Sequence, residues 1–221
     1  GPVAQHAPLL AHSAGLVGDP QIRHRGTIGG SLVHADPAAD LPMAATALEA
    51  VMVVQGPSGQ REIGAEEFFL GYFTSAVGED EILVEVRIPS KAGVGWGYEK
   101  FTRRANDWAI VGVAAVGAGA DARVALGNMA PKAHRALATE AALAGGASIA
   151  DAAALAAQDT EPQGDMHASP DYRRHLAKVL TRRALEAGCR TWERRLARQK
   201  LPALAREEVH RRRAAGLEEI A

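Results

Sequence analysis

Between Ile22 and Pro42 the sequence reads IRHRGTIGGSLVHADPAADLP, and this stretch holds most of the side chains able to do chemistry. Thr27–Ser31 (TIGGS) sits between Arg23 and Arg25 on one side and Asp36 and Asp40 on the other. Paired glycines lack Cβ atoms, so the motif reads as a small-residue turn whose backbone N–H groups can come close to a phosphate. Thr27 and Ser31 add hydroxyl donors, and the arginines make the neighbourhood cationic. Carboxylates repel phosphate; Asp36 and Asp40 suit the hydroxyls or ring N–H groups of something larger. The combination describes a site for a polar dinucleotide rather than for a bare anion. A solvated Gly-Gly turn that binds nothing shares the same local pattern.

Other chemistries find less support. The eight histidines form no metal set; His34 and Asp36 flank Ala35, but two candidate ligands do not make a site. No Ser–His–Asp arrangement is readable. Gly117–Ala122 (GAGADA) fits G-x-G-x-x-A after a strand, with Glu140 near the distance of a ribose-binding acid. That fingerprint needs a helix directly after the turn, whereas Arg123–Met129 reads as a second strand, so a hairpin is expected here. Cys189 is the only cysteine, which excludes intrachain disulfides and a Cys-ligated iron–sulfur cluster held by this chain alone. A net charge of −1 over 221 residues gives no general attraction to nucleic acid or anionic membrane. The longest small-apolar run, Ala109–Ala120, is too short and glycine-rich to span a bilayer, and with no basic-then-apolar leader a cytoplasmic protein is the expectation.

The elements that must position these residues read as an α+β fold. Pro8–Ala14 reads as a short helix, and Leu41–Leu48 as a helix started by Asp40 and Pro42. Ala50–Gln55 and Gln60–Ile63, joined at Pro57-Ser58-Gly59, predict a hairpin; Glu66–Phe69 reads as a brief helix and Glu81–Ile88 as a half-buried strand ended by Pro89. Gly97–Arg103, Ala109–Val116 and Ala122–Met129 predict a three-stranded antiparallel meander. Arg135–Ala144, Ser148–Gln158 and Asp171–Ala187 read as helices, with Ser148 as N-cap and Asp159–Pro170 as a loop. A boundary falls near residue 93, which divides the chain into 1–92, 93–187 and a basic helical extension, 188–221.

The motif R-x-R-G-T-I-G-G-S-x-x-x-A-D-P-A-A-D-L-P resembles the signature of the FAD-binding medium subunits of molybdenum hydroxylases, the carbon monoxide dehydrogenase and xanthine dehydrogenase type enzymes. The resemblance continues through Glu66–Phe73, Glu81–Pro89, Tyr98–Trp108 and Asp171–Leu185, covering roughly residues 3–187. It implies the C-terminal lobe of an FAD-binding domain of the PCMH, or vanillyl-alcohol-oxidase, type over 1–92. The family's C-terminal domain, a three-stranded antiparallel sheet with helices, would follow over 93–187. It also implies that Thr27, Ile28, Gly29, Gly30 and Ser31 lie against FAD, that Asp40 binds a polar part of it, and that Leu83 packs nearby. Lys100 would be the cation close to the flavin, where a fixed ammonium stabilises the negative charge of the reduced ring. Trp108 would stack on the ring or regulate access to it, unless it is a core anchor; Val17 falls near the flavin.

The family's domain opens with an upstream glycine-rich turn of the A-G-G-x-S-L type. Nothing similar precedes Pro20, so the chain is expected to begin partway into that domain. The implied role is electron transfer through FAD, from [2Fe-2S] clusters on a small subunit that serves a molybdenum large subunit, to an external acceptor. Hetero-oligomerisation follows, with no nucleic acid and no membrane span. Two alternatives stay open: a flavin-free assembly or scaffold subunit, and a flavoenzyme with its own substrate. The arginine-rich stretch after Gly188 reads as a solvated helical extension or as a docking arm for an acidic partner.

Overall fold

The computed structural model describes residues 1–190. Four short helices open the chain: α1 (Pro2–His6), α2 (Pro8–Gly15), α3 (Pro20–Arg25) and α4 (Ile28–His34). Proline at the start of the first three fixes φ where no amide hydrogen bond is lost. Asp19 caps α3 by accepting from the Ile22 N–H at 3.0 Å, and Thr27 caps α4 by accepting from the Gly30 N–H at 3.0 Å. TIGGS is therefore a capped helix start and not a turn. Two glycines side by side cost about 2 kcal/mol of helix propensity relative to alanine. Burial of Leu32 and the Thr27 cap oppose that cost.

The next helix, α5 (Asp40–Ala47), is buried along its whole length. A hairpin follows, β1 (Val51–Gly56) with β2 (Gly59–Gly64), then α6 (Ala65–Phe68), a small hairpin of β3 (Phe69–Gly71) and β4 (Thr74–Ser75), and β5 (Ile82–Arg87). Strand order β2-β1-β5 makes one antiparallel sheet, with a bulge at Val53/Val54 opposite β5. The meander continues as β6 (Trp96–Phe101), β7 (Val111–Val116), β8 (Arg123–Gly127) and β9 (His134–Arg135). The sheet has four strands where three are expected, because His134 and Arg135 pair with Leu126 and Ala125 before the next helix begins. Between β7 and β8 runs an antiparallel register with a single 3₁₀ turn at Gly119–Asp121, so GAGADA closes a hairpin and is not a dinucleotide turn.

Helices α7 (Leu137–Ala144) and α8 (Ile149–Ala154) follow. Ser148 caps α8 through the Asp151 N–H at 3.1 Å. A further helix, α9, runs over residues 170–190. The extension expected over 188–221 lies almost wholly outside the described residues.

Alternation along β7 and β8 splits the protein into two cores. Ala114, Val116 and Ala125 face α2, α5 and β1, whereas Val113, Ala115, Val124 and Leu126 face α8 and α9. The close approach of α5 to this sheet has a steric origin. Gly112 and Gly127 are register partners, and a Cβ on them would stand 2.9 Å from Met43 Cε and 3.2 Å from Met43 Sδ. The paired glycines leave a dent for Met43, and that seat sets where Asp40, three residues earlier, comes to rest.

Candidate functional site

A cleft of about 670 Å³ opens between the N-terminal helices and the start of α5. Its polar lining is Arg23, Arg25, Thr27, Ser31, His34 and Asp40, and Leu10, Val17, Ile22 and Ile28 supply apolar wall. Trp108 closes one side from the β6–β7 loop and remains 60% exposed, so it is no core anchor. The segments are far apart in sequence, and the fold brings them to one mouth.

At the start of α4 the helix has no earlier turn of carbonyls to engage the N–H groups of Ile28 and Gly29. Beside these donors, Arg23 is held by the carbonyls of Val17 (2.9 Å) and Gly18 (3.1 Å). The Arg25 side chain makes neither a hydrogen bond nor an ion pair to the described residues, and it lines the cleft. A Cβ on Gly30 would stand 3.0 Å from Thr27 Oγ1 and crowd the cap. Among the described residues, one on Gly29 would meet only Leu83 Cδ2, at 3.9 Å, which places Leu83 of β5 against this helix start. The protein's own packing thus accounts for glycine at 30 but not at 29.

Asp40 is 3% exposed and reaches the cleft from the first residue of α5. Its carboxylate is held from behind by β6. Lys100 Nζ lies 2.9 Å from Oδ2, and the Tyr98 hydroxyl donates to Oδ1. Lys100 also donates to the Leu16 carbonyl at 3.3 Å, and its side chain is 10% exposed. Burial and the adjacent Asp40 carboxylate push the Tyr98 phenol well above its ordinary range. His12 packs against both Trp96 and Tyr98, with ring centroids 5.1 and 5.5 Å apart, and burial lowers its pKa.

Of the residues singled out from sequence, Thr27, Ile28, Gly30, Ser31, Asp40 and Trp108 line the cleft. Gly29 and Leu83 meet beside it, and Lys100 stands behind Asp40. Tyr98 escapes sequence reasoning, although a signal exists: Tyr98 and Lys100 are two apart on a strand and so share a face. His34, whose ring lies tilted against Phe73 with centroids 5.1 Å apart, reads from sequence only as a poor metal ligand. Among the described residues no group of three or more His, Cys, Asp or Glu could hold a metal, and no helix is long and apolar enough to cross a membrane.

Residues 2–91 match the family described as the FAD binding domain in molybdopterin dehydrogenase, and residues 96–187 match the CO dehydrogenase flavoprotein C-terminal domain. The carbon monoxide dehydrogenase medium chain of Hydrogenophaga pseudoflava is 40% identical over 197 residues, a match covering 84% of this chain and 69% of the relative. The chain belongs to the FAD-binding medium subunits of the molybdenum hydroxylases. Another relative in this family, the nicotine 6-hydroxylase medium subunit of Paenarthrobacter nicotinovorans, is 38% identical over 86% of this chain and 70% of its own length. A solved structure of the carbon monoxide dehydrogenase from H. pseudoflava superposes with a TM-score of 0.80 at 43% identity, covering 86% of this chain and 69% of that one.

The family's cofactor is FAD, and the donor set here fits it. Helix-start N–H groups and an arginine unpaired among the described residues suit a pyrophosphate. An oriented carboxylate suits hydroxyl or ring N–H donors, and an exposed indole suits a flat ring.

Proposed function

We propose that this chain is the flavin subunit of a molybdenum-containing hydroxylase or dehydrogenase. It passes electrons from [2Fe-2S] clusters on a small partner subunit, fed by a molybdenum large subunit, through FAD to an external acceptor. In this reading residues 1–92 are the FAD-binding part, a lobe of the vanillyl-alcohol-oxidase type, and 93–187 are the C-terminal domain. The supporting observation is the convergence of the α4 helix start, Arg25, Asp40 and Trp108 on one cleft.

FAD supplies the electron-accepting and electron-donating chemistry when bound. The chain's own residues bind and orient. Thr27 fixes the helix start, so that the N–H groups of Ile28 and Gly29 point at one place. Arg23 and Arg25 balance phosphate charge, and Ser31 adds a hydroxyl donor. Asp40 accepts from the cofactor's polar groups and is kept paired and oriented by Lys100 and Tyr98. Leu83 and Trp108 keep water from the apolar part.

The test is an FAD titration of the full chain, alone and with its partner subunits, beside an Arg25→Ala variant. Because Arg25 makes no hydrogen bond or ion pair within the described residues, the variant should keep the wild-type melting temperature. It should bind FAD about tenfold more weakly, the scale of one charge-assisted hydrogen bond. A complete complex that carries the partners but no flavin would instead establish the scaffold role.

A further inference from the structure

Both oxygens of the Asp40 carboxylate are engaged from β6, one by Lys100 and the other by Tyr98. The two donors differ in kind. Lys100 brings a charge that offsets Asp40 electrostatically. Tyr98 brings a neutral hydroxyl on a rigid ring, clamped between His12 and the first core, with no other side-chain hydrogen bond to the described residues. An ammonium on a flexible stem can follow a rotating carboxylate, whereas a phenol on a strand cannot. With Tyr98 in place, rotation of Asp40 about its last torsion would break a buried hydrogen bond.

We propose that Tyr98 is a positioning residue for the cofactor: its hydroxyl sets the orientation and the electron density of the Asp40 carboxylate that faces the cleft. This inference rests on the reading of the cleft as an FAD site. A carboxylate relieved of a strong donor is a more concentrated negative charge, and it disfavours a neighbouring ring that gains negative charge on reduction. Tyr98 therefore tunes the relative affinity of the site for reduced and oxidised flavin without touching either. The charged and titratable groups around Asp40 are Tyr98 and Lys100 from β6, His12 from α2 behind Tyr98, Arg23 and Arg25 from α3, and His34 from α4.

The experiment compares the affinities of the full chain for oxidised and reduced FAD in wild type, Tyr98→Phe, Asp40→Asn and the double variant. Phenylalanine keeps the ring that packs on His12 and removes only the hydroxyl. Tyr98→Phe should lower the affinity for reduced FAD about tenfold relative to oxidised FAD, equivalent to a midpoint about 30 mV lower for a two-electron couple. In the Asp40→Asn background the same change should produce no further shift, because Tyr98 acts only through the carboxylate. Should Tyr98→Phe fail to fold, incorporating 3-fluorotyrosine in a Tyr72→Phe, Tyr172→Phe background leaves Tyr98 as the sole labelled position. A stronger hydroxyl donor there should move the ratio the opposite way. Wild-type binding of FAD with an unmoved ratio in Tyr98→Phe overturns the inference alone. An equal shift with and without Asp40 overturns it too, since Tyr98 would then act directly. Failure of the wild-type chain to bind FAD with its partners present overturns the functional reading, and this inference with it.

Discussion

Two buried carboxylates lie on opposite sides of the central sheet, and they are used differently. Glu140 of α7 accepts the Arg135 Nε–H at 2.7 Å and the Val124 N–H at 2.8 Å on Oε1, and pairs with Arg135 Nη2 through Oε2. Every one of its partners is protein. Asp40 is buried more deeply yet takes one protein donor on each oxygen and lines a cleft. Glu140 joins β8, β9 and α7, and Arg135 carries the link on to Glu66. Asp40 has acceptor capacity left at the edge of the cleft it lines. The lesson concerns saturation more than burial: a carboxylate whose lone pairs are consumed by protein is a joint, and one held from behind with capacity in front is a binding group.

The largest expected effect tests the joint. Glu140→Ala leaves Arg135 buried without its bidentate partner and strands the Val124 N–H, which should cost about 3–5 kcal/mol in denaturant unfolding. FAD affinity of the molecules that fold should be unchanged. Asp40→Asn should reverse the balance. Asparagine keeps an acceptor for Tyr98, and Lys100, though only 10% exposed, keeps the Leu16 carbonyl at 3.3 Å, so the stability loss should be about 2–3 kcal/mol, with FAD affinity falling at least tenfold. A larger stability loss for Asp40→Asn than for Glu140→Ala would break the comparison.

How much of this is legible in the sequence follows the same division between local and distant causes. Helix α5, the β1–β2 hairpin and the meander follow from periodicity and turn residues, and they appear within a few positions of expectation. The absence of a Rossmann turn also follows from local pattern. The start of α4 is hidden because consecutive glycines argue against a helix, and only the Thr27 cap and the burial of Leu32 overrule them. Strand β9 is hidden because two residues carry no period; Arg135 reads as helical, yet it pairs with Ala125. Asp40 and Lys100 are each legible by resemblance, but their pairing spans 60 residues and depends on Met43 seating α5 against Gly112 and Gly127. Glu140 shows the converse, since spacing suggests a ribose-binding acid and the fold commits it to Arg135.

A third carboxylate sharpens the contrast from the solvent side. Glu81, ahead of β5, is gripped by Arg61 of β2 at 2.8 and 2.6 Å and accepts the Gly78 N–H at 2.8 Å. The Arg61 guanidinium first, and the Gly78 amide second, hold its carboxyl down at about 2. Because the folded value lies below the unfolded one, this contact stabilises the fold fully above about pH 4.3 and loses that contribution as pH falls toward 2. Arg61→Ala should move the Glu81 midpoint, followed by NMR of the carboxyl carbon, back up toward the ordinary carboxylate range. The melting temperature at neutral pH should hardly change, because an exposed pair exchanges protein contacts for water at little net gain. Glu81 is thus saturated like Glu140 but lies nearer the surface, its side chain 19% exposed beside an Arg61 that is 49% exposed. If its loss cost as much as that of Glu140, saturation alone would set the energetic weight of a carboxylate; a small effect requires that burial supply the magnitude while saturation decides only the role.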